Sequence, residues 1–145
     1  MSSFNELLIN STLLSNLEGL GYQTPTTIQE KSIPVVKEKR DIFGIAQTGT
    51  GKTASFCLPL IEGLLQKENF KLIPTVLILT PTRELCLQTH EAIIKFAKDT
   101  PVKSCAIYGG VKQIYQAEAI NGGVNFIVAT PGRLLDLVRK GLIRL

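Results

Sequence analysis

Residues 46–53 read AQTGTGKT, a run whose residue types suit the holding of phosphate. Glycine takes backbone angles and allows a closeness of approach that other residues resist, so Gly49 and Gly51 let the chain curl around phosphate oxygens. The main-chain N–H groups of Gly49, Thr50, Gly51, Lys52 and Thr53 then point at a β-phosphate, reinforced by the positive end of the helix that follows. Lys52 brings a point charge to the β- and γ-phosphates, and the Thr53 hydroxyl is suited to ligate Mg2+. These two residues are the candidates for chemistry at the phosphates. Ala46 stands where GxxxxGK[ST] has its first glycine, at a strand end where a small side chain suffices. The competing reading is an ordinary glycine-rich turn; the lysine, the threonine and the flanking elements favour nucleotide binding.

Such a loop needs a strand before it and a helix after it, and the apolar pattern supplies both. Strands are expected at 41–46 (DIFGIA), 75–80 (TVLILT), 102–108 (VKSCAIY) and 125–130 (NFIVAT). TVLILT is apolar throughout its middle, which suits a parallel strand covered on both faces. Leu85, Thr89, Ala92, Ile93 and Phe96 recur at three- and four-residue intervals and predict a helix from near Thr82, with Thr82 as N-cap. A helix from Gly51 towards Gln66 should kink or split at Pro59, which lacks a backbone donor. Another should begin at Thr130 with Pro131 in its first position. This alternation predicts an α/β fold with a mostly parallel sheet flanked by helices. No repeat or linker divides residues 1–145, so a single domain is expected.

Composition narrows the class. Of 145 residues, 44% are hydrophobic and 19% charged, which argues against a disordered chain, and no apolar run approaches the roughly 18 residues of a membrane span. No secretory signal is visible in MSSFNELLIN, so a cytoplasmic location, or a nuclear one in a eukaryote, is expected. The formal charge of +4 is scattered and permits a polyanionic partner without demonstrating one. Cys57, Cys86 and Cys105 form no CxxC pair, so reduced, buried thiols are expected. His90 falls in a helical pattern with no partner motif and reads as a surface side chain.

The stretch GYQTPTTIQ, residues 21–29, reads by itself as the end of one helix at Gly21 and the start of the next at Pro25-Thr26. Together with the phosphate loop it resembles the Q motif of DEAD-box ATP-dependent RNA helicases: a glycine, an aromatic residue (Tyr22), then P-T-x-I-Q. Phe4 lies where that family places an upstream aromatic. The resemblance implies that Gln29 reads adenine through one donor and one acceptor, that Phe4 stacks on the base, and that ATP is chosen over GTP. It extends the nucleotide site over Phe4, Tyr22, Gln29 and Thr48 to Thr53, with ATP and Mg2+ as cofactors.

Further segments match in the family's order. PTRELCLQ (81–88) resembles motif Ia, Gly109-Gly110 the glycine doublet, and TPGR (130–133) motif Ib. Each follows an expected strand, and ligands of open α/β sheets gather outside the carboxyl ends of strands. The resemblance implies a sequence-independent track for one RNA strand over Pro81, Thr82, Arg83, Gly109, Gly110, Thr130, Gly132 and Arg133. Taken singly, Thr82 and Thr130 could equally cap helices, the glycines make a turn, and Arg133 form a surface pair. The whole therefore resembles the N-terminal RecA-like domain of such a helicase, whose partner would be RNA and a second RecA-like domain, with no membrane.

The sequence ends at Leu145, before the Asp-Glu-Ala-Asp box expected next in the family. Nucleotide binding with little turnover is expected of residues 1–145 alone, because metal, water positioning and cationic clamps carry most of phosphoryl transfer. The family's sheet order also places two further strands between the phosphate-loop strand and TVLILT, so a gap is expected there: the sheet closes differently, pairs with another copy, or has its boundary inside the domain. Two alternatives from other classes are a different phosphate-loop ATPase or nucleotide kinase, and a non-catalytic partner-binding module.

Overall fold

The computed structural model describes residues 2–145. Where the sequence predicts one domain, the chain packs as two compact units; the second comprises Lys71–Ile94 and Val102–Leu145, and the first holds the preceding chain and Lys95–Pro101.

The first unit is helical. It contains α1 (Phe4–Leu7), α2 (Ser11–Gly19), α3 (Thr27–Lys37) and α4 (Lys52–Leu65). In α2 the Asn10 side chain accepts from Leu13 N and caps the helix, while Leu13 and Leu17, one turn apart, are buried. Gly21, at φ 82, ends that segment in the left-handed region as expected. Of the kink or split expected at Pro59, the split does not occur: α4 is continuous, with Pro59 buried. Interior proline costs about 3 kcal/mol, whereas each fully buried Leu or Ile side chain returns roughly 1.5–3 kcal/mol. Leu58 and Ile61, both fully buried beside Pro59, outweigh the lost bond.

The buried carboxylate of Glu62 ties this unit together. Its Oε1 accepts from Ile9 N at 2.7 Å and Asn10 N at 2.8 Å, and its Oε2 lies 2.8 Å from Lys37 Nζ. Lys37 also donates to Leu7 O at 2.8 Å. One side chain of α4 thereby fixes α3 and the connection between α1 and α2.

The expected strand at 41–46 is not formed. Residues 41–47 have no regular structure, and Phe43 and Ile45 are 90% and 81% exposed. A strand exists through its ladder partners, and none of the described strands pairs with this segment. Apolar patterning without a partner leaves an extended, solvated run.

The second unit contains β1 (Val76–Leu79), α5 (Arg83–Phe96, its last turn counted with the first unit), β2 (Ser104–Ile107), α6 (Gln113–Asn121), β3 (Phe126–Ala129) and α7 (Pro131–Arg139). The strands form a parallel sheet in the order β1-β3-β2, with Val76 and Ser104 both opposite Phe126. The central strand, β3, is buried at every residue. The prediction that TVLILT is covered on both faces fails, since β1 is a sheet edge with Leu77 and Leu79 46% and 56% exposed. Its apolar residues alternate between half-buried and exposed because one face lacks cover.

Helix predictions fare better here. Thr130 occupies the N-cap position of α7, with Pro131 first in the helix, and Leu134 and Leu137 are buried beneath it. On α5 the buried positions are Cys86, Thr89, Ile93 and Phe96, while Leu85 is exposed. Thr89, Ile93 and Phe96 of the predicted stripe are buried, and only at its N-terminal end does Cys86 take the place of Leu85, with its Sγ 3.2 Å from Val128 O of β3.

Candidate nucleotide loop and nucleic-acid interface

Gly49 and Gly51 adopt φ 80 and φ 83, and Gly51 is the residue from which α4 begins. Glycine is needed twice over at position 51, since a Cβ there would lie 2.3 Å from Gln29 Nε2. Lys52 Nζ donates to Ala46 O and, at 3.0 Å, to Gln47 O. Thr50 Oγ1 donates to Gln47 O at 2.7 Å, and Thr26 Oγ1 donates to Thr50 O at 2.8 Å. The loop is thus folded on its own carbonyls, with the ammonium that would meet phosphate held among them.

Gln29 is 1% exposed and both ends of its amide are engaged. Oε1 accepts from Thr26 N at 2.9 Å, completing the N-terminus of α3, and Nε2 donates to Gly51 O at 3.3 Å. Phe4 is 5% exposed. Its ring meets Tyr22 edge-on at 6.3 Å, and Tyr22 meets Phe96 at 5.7 Å. The structure therefore brings Gln29 against the phosphate loop, and places Phe4 and Tyr22 in an aromatic cluster. The Gln29 amide keeps one further N–H and one further lone pair beyond these bonds. Thr48 is exposed, and Thr53 is half-buried in the first turn of α4.

Thr53 offers one oxygen, and no group of three His, Cys, Asp or Glu residues suited to a metal occurs among the described residues. Mg2+ takes few protein ligands and keeps phosphate and water oxygens, so this donor set fits the ion as a partner of bound nucleotide.

In the second unit, the three remaining motifs leave the carboxyl ends of the three parallel strands: Pro81–Arg83 after β1, Gly109-Gly110 after β2 and Thr130–Arg133 after β3. Pro81, Thr82, Arg83, Gly109, Gly110 and Gly132 are exposed, and Thr130 and Arg133 are half-buried. Thr82 Oγ1 accepts from Leu85 N at 3.2 Å, so it caps α5. Thr130 makes no side-chain cap; its N–H donates to Ile107 O at 2.8 Å, joining motif Ib to the end of β2.

Arg83 lies over the Tyr108 ring at 4.8 Å, a cation–π contact. Gly110 has φ 86, and its missing Cβ would sit 3.5 Å from Arg83 Nη1. Arg133, expected to face phosphate, turns one nitrogen inward: Nη1 donates to Val111 O at 2.6 Å and to Gln116 Oε1 at 3.2 Å. Its other N–H groups retain the capacity to pair with a phosphate. Tyr108 was missed by sequence reasoning; its signal is an aromatic residue at a strand end, directly before a glycine doublet.

The remaining reactive side chains are structural. Burial pushes the Cys57 and Cys105 thiols up to about 12, and raises that of Cys86 as well. All three are free and buried, as expected. His90 is half-buried rather than a surface residue, with Nδ1 3.0 Å from Ser104 Oγ, and burial lowers its pKa.

A parallel sheet with glycine, threonine and arginine gathered at its carboxyl edge, in a chain that also carries a phosphate loop, is the arrangement the sequence resemblance implies. Residues 26–145 match the DEAD/DEAH box helicase family. The chain belongs to that family. DEAD-box ATP-dependent RNA helicase 28 of Oryza sativa subsp. japonica is 47% identical over 141 residues, covering 97% of this chain and 18% of the relative. DEAD-box ATP-dependent RNA helicase CshA of Streptococcus pneumoniae (strain ATCC BAA-334 / TIGR4) is 40% identical, covering 98% of this chain and 26% of the relative. The crystal structure of a DEAD box protein from the hyperthermophile Methanococcus jannaschii superposes with a TM-score of 0.88 at 39% identity, covering 99% of this chain and 38% of that one. The expected α/β, RecA-like architecture with a parallel sheet and flanking helices is the architecture shared with this DEAD box protein. The chain spans about a fifth to a quarter of the length of these two curated relatives.

Proposed function

We propose that this DEAD-box helicase chain is the ATP- and RNA-binding portion of an RNA helicase, part of its N-terminal RecA-like domain, and that the intact enzyme couples ATP binding and hydrolysis to local unwinding of RNA duplexes. The observation that carries the nucleotide half is the loop at 46–53, with left-handed Gly49 and Gly51 leading into α4. Lys52 supplies the charge on the β- and γ-phosphates and Thr53 the protein oxygen for Mg2+, which neutralises phosphate charge when bound. Gln29 and Phe4 select adenine, and Tyr22 and Thr48 complete the proposed nucleotide site. The RNA half rests on Pro81, Thr82, Arg83, Gly109, Gly110, Thr130, Gly132 and Arg133 at the carboxyl ends of one parallel sheet. Amides at helix starts and arginine guanidinium groups suit backbone phosphates and carry no base readout. A second RecA-like domain completes the enzyme.

The test is the binding of a fluorescent ATP analogue. Wild type binds, and unlabelled ATP displaces the analogue far better than GTP. Lys52→Ala weakens binding about 100-fold, the order expected for losing charge-assisted bonds to phosphate. Equal displacement by ATP and GTP overturns the adenine assignment, and unchanged binding by Lys52→Ala overturns the loop assignment.

A further inference from the structure

The glycine doublet of a backbone-binding surface is useful only if its loop is held in one shape, and two glycines in succession favour many shapes. Part of what restrains this loop lies outside every motif discussed so far. Gln116, on the second turn of α6, is 6% exposed. Its Nε2 donates to Tyr108 O at 2.9 Å, the carbonyl immediately before Gly109. Its Oε1 accepts from Arg133 Nη1 at 3.2 Å, and the same Nη1 donates to Val111 O at 2.6 Å, the carbonyl immediately after Gly110. One buried amide and one guanidinium therefore grip the loop at both ends, and the pair is itself hydrogen-bonded.

We propose that Gln116 is a positioning residue for RNA binding: through Tyr108 and Arg133 it fixes the Gly109-Gly110 loop in the form that meets the RNA backbone. The proposal rests on the RNA reading given above. Gln116 is neutral and buried, so it touches no phosphate. It sets the place of the loop carbonyls and of the Tyr108 backbone, whose ring receives Arg83. Motif Ia, the glycine doublet and motif Ib are then linked through one side chain. A glutamine fits where other residues do not, because the position needs a donor for Tyr108 O and an acceptor for Arg133 on a single uncharged group. Glutamate keeps the acceptor and sets an anionic oxygen against a carbonyl; methionine keeps the length and has neither strong partner.

The experiment compares the 145-residue chain with Gln116→Met and Gln116→Glu, by fluorescence anisotropy of a short fluorescein-labelled oligouridine and by binding of the fluorescent ATP analogue. Both variants are expected to weaken oligouridine binding about 10-fold and to leave the ATP analogue within twofold of wild type, in line with one or two hydrogen bonds lost. Backbone amide exchange at Gly109–Lys112 is expected to quicken in both. Gly110→Ala in the Gln116→Met background should cost less than in wild type, since a loop already released has less shape left to lose. A general weakening of the fold by Gln116→Met is recognised by a fall in its denaturant midpoint. Gln116→Glu, which retains the Arg133 pair, then carries the comparison. Wild-type oligouridine affinity in a folded Gln116→Glu chain, or unaltered exchange at the glycine doublet, overturns the proposal. A wild-type chain that binds no oligouridine overturns the RNA reading beneath it, while the exchange measurement still reports on the clamp.

Discussion

Single side chains in this molecule do two kinds of work, and the difference shows in where their polar atoms end. Lys52, Gln29 and Arg133 each carry nitrogen atoms that the proposed ligands require, and each spends part of that capacity on a neighbouring carbonyl: Ala46 and Gln47, Gly51, and Val111 respectively. Each keeps further N–H groups with which a proposed ligand could pair. Glu62 is of the other kind, since all of its neighbours are structural. It is fully buried and holds Ile9 N, Asn10 N and Lys37. Glu62→Ala leaves two amides and an ammonium without their acceptor, a change that costs about 3 kcal/mol where a buried pair is broken. Urea denaturation is expected to show that loss, whereas Lys37→Ala, which strands the buried Glu62 Oε2 but keeps both amide bonds to Oε1, costs about 2 kcal/mol. Equal losses from the two variants would mean that the ion pair, and not the backbone anchoring, dominates. Nothing local marks Glu62: it lies in an apolar helix as one acid among leucines, and its partners are more than 50 residues away along the chain for the two amides.

At the level of elements, hydropathy and position in the sheet part company. β1 and β3 read alike as apolar runs, yet β3 is central and buried throughout while β1 is an edge with alternate exposure. Truncating Ile127→Ala in β3 should destabilise by about 2–4 kcal/mol, and Leu77→Ala in β1 by under about 1 kcal/mol, since the cost follows burial and the cavity left behind. Phe43→Ser, in the solvated run at 41–47, is expected to stay within about 0.5 kcal/mol of wild type. Denaturant midpoints measured at constant m decide all three. The helices were more legible. Their caps are local devices, so Thr82, Thr130 with Pro131, and Gly21 marked the ends of α5, α7 and α2 from sequence alone. Leu85 and Cys86 were harder, because a sequence repeat does not say which edge of an amphipathic stripe meets the sheet.

For the whole molecule, the proposed nucleotide loop belongs to the first compact unit and the proposed RNA residues to the second. Hydrogen exchange should separate them. A saturating ATP analogue is expected to slow exchange in the phosphate loop and the first turn of α4, and oligouridine to slow it at Pro81–Arg83, Gly109-Gly110 and Thr130–Arg133. Protection follows the population of the bound state, so it deepens with ligand concentration over the dissociation constant. Protection by ATP confined to the second unit would refute the assignment of the loop.

Sequence by itself determined the motifs, their order and, through them, the family. The phosphate loop, the P-T-x-I-Q stretch and the three loops after expected strands are contiguous groups of residue types, and their meaning depends on short spacings that the covalent chain fixes. Tertiary structure alone decided which apolar runs became strands, how fully each strand was covered, and which residues hold the loops in place. Those outcomes depend on partners distant in sequence: β3 for β1 and β2, Gln116 and Arg133 for the glycine doublet, Ile9 and Lys37 for Glu62. A hydrogen bond or a buried face is a property of two segments at once, and a run such as DIFGIA carries only its own half.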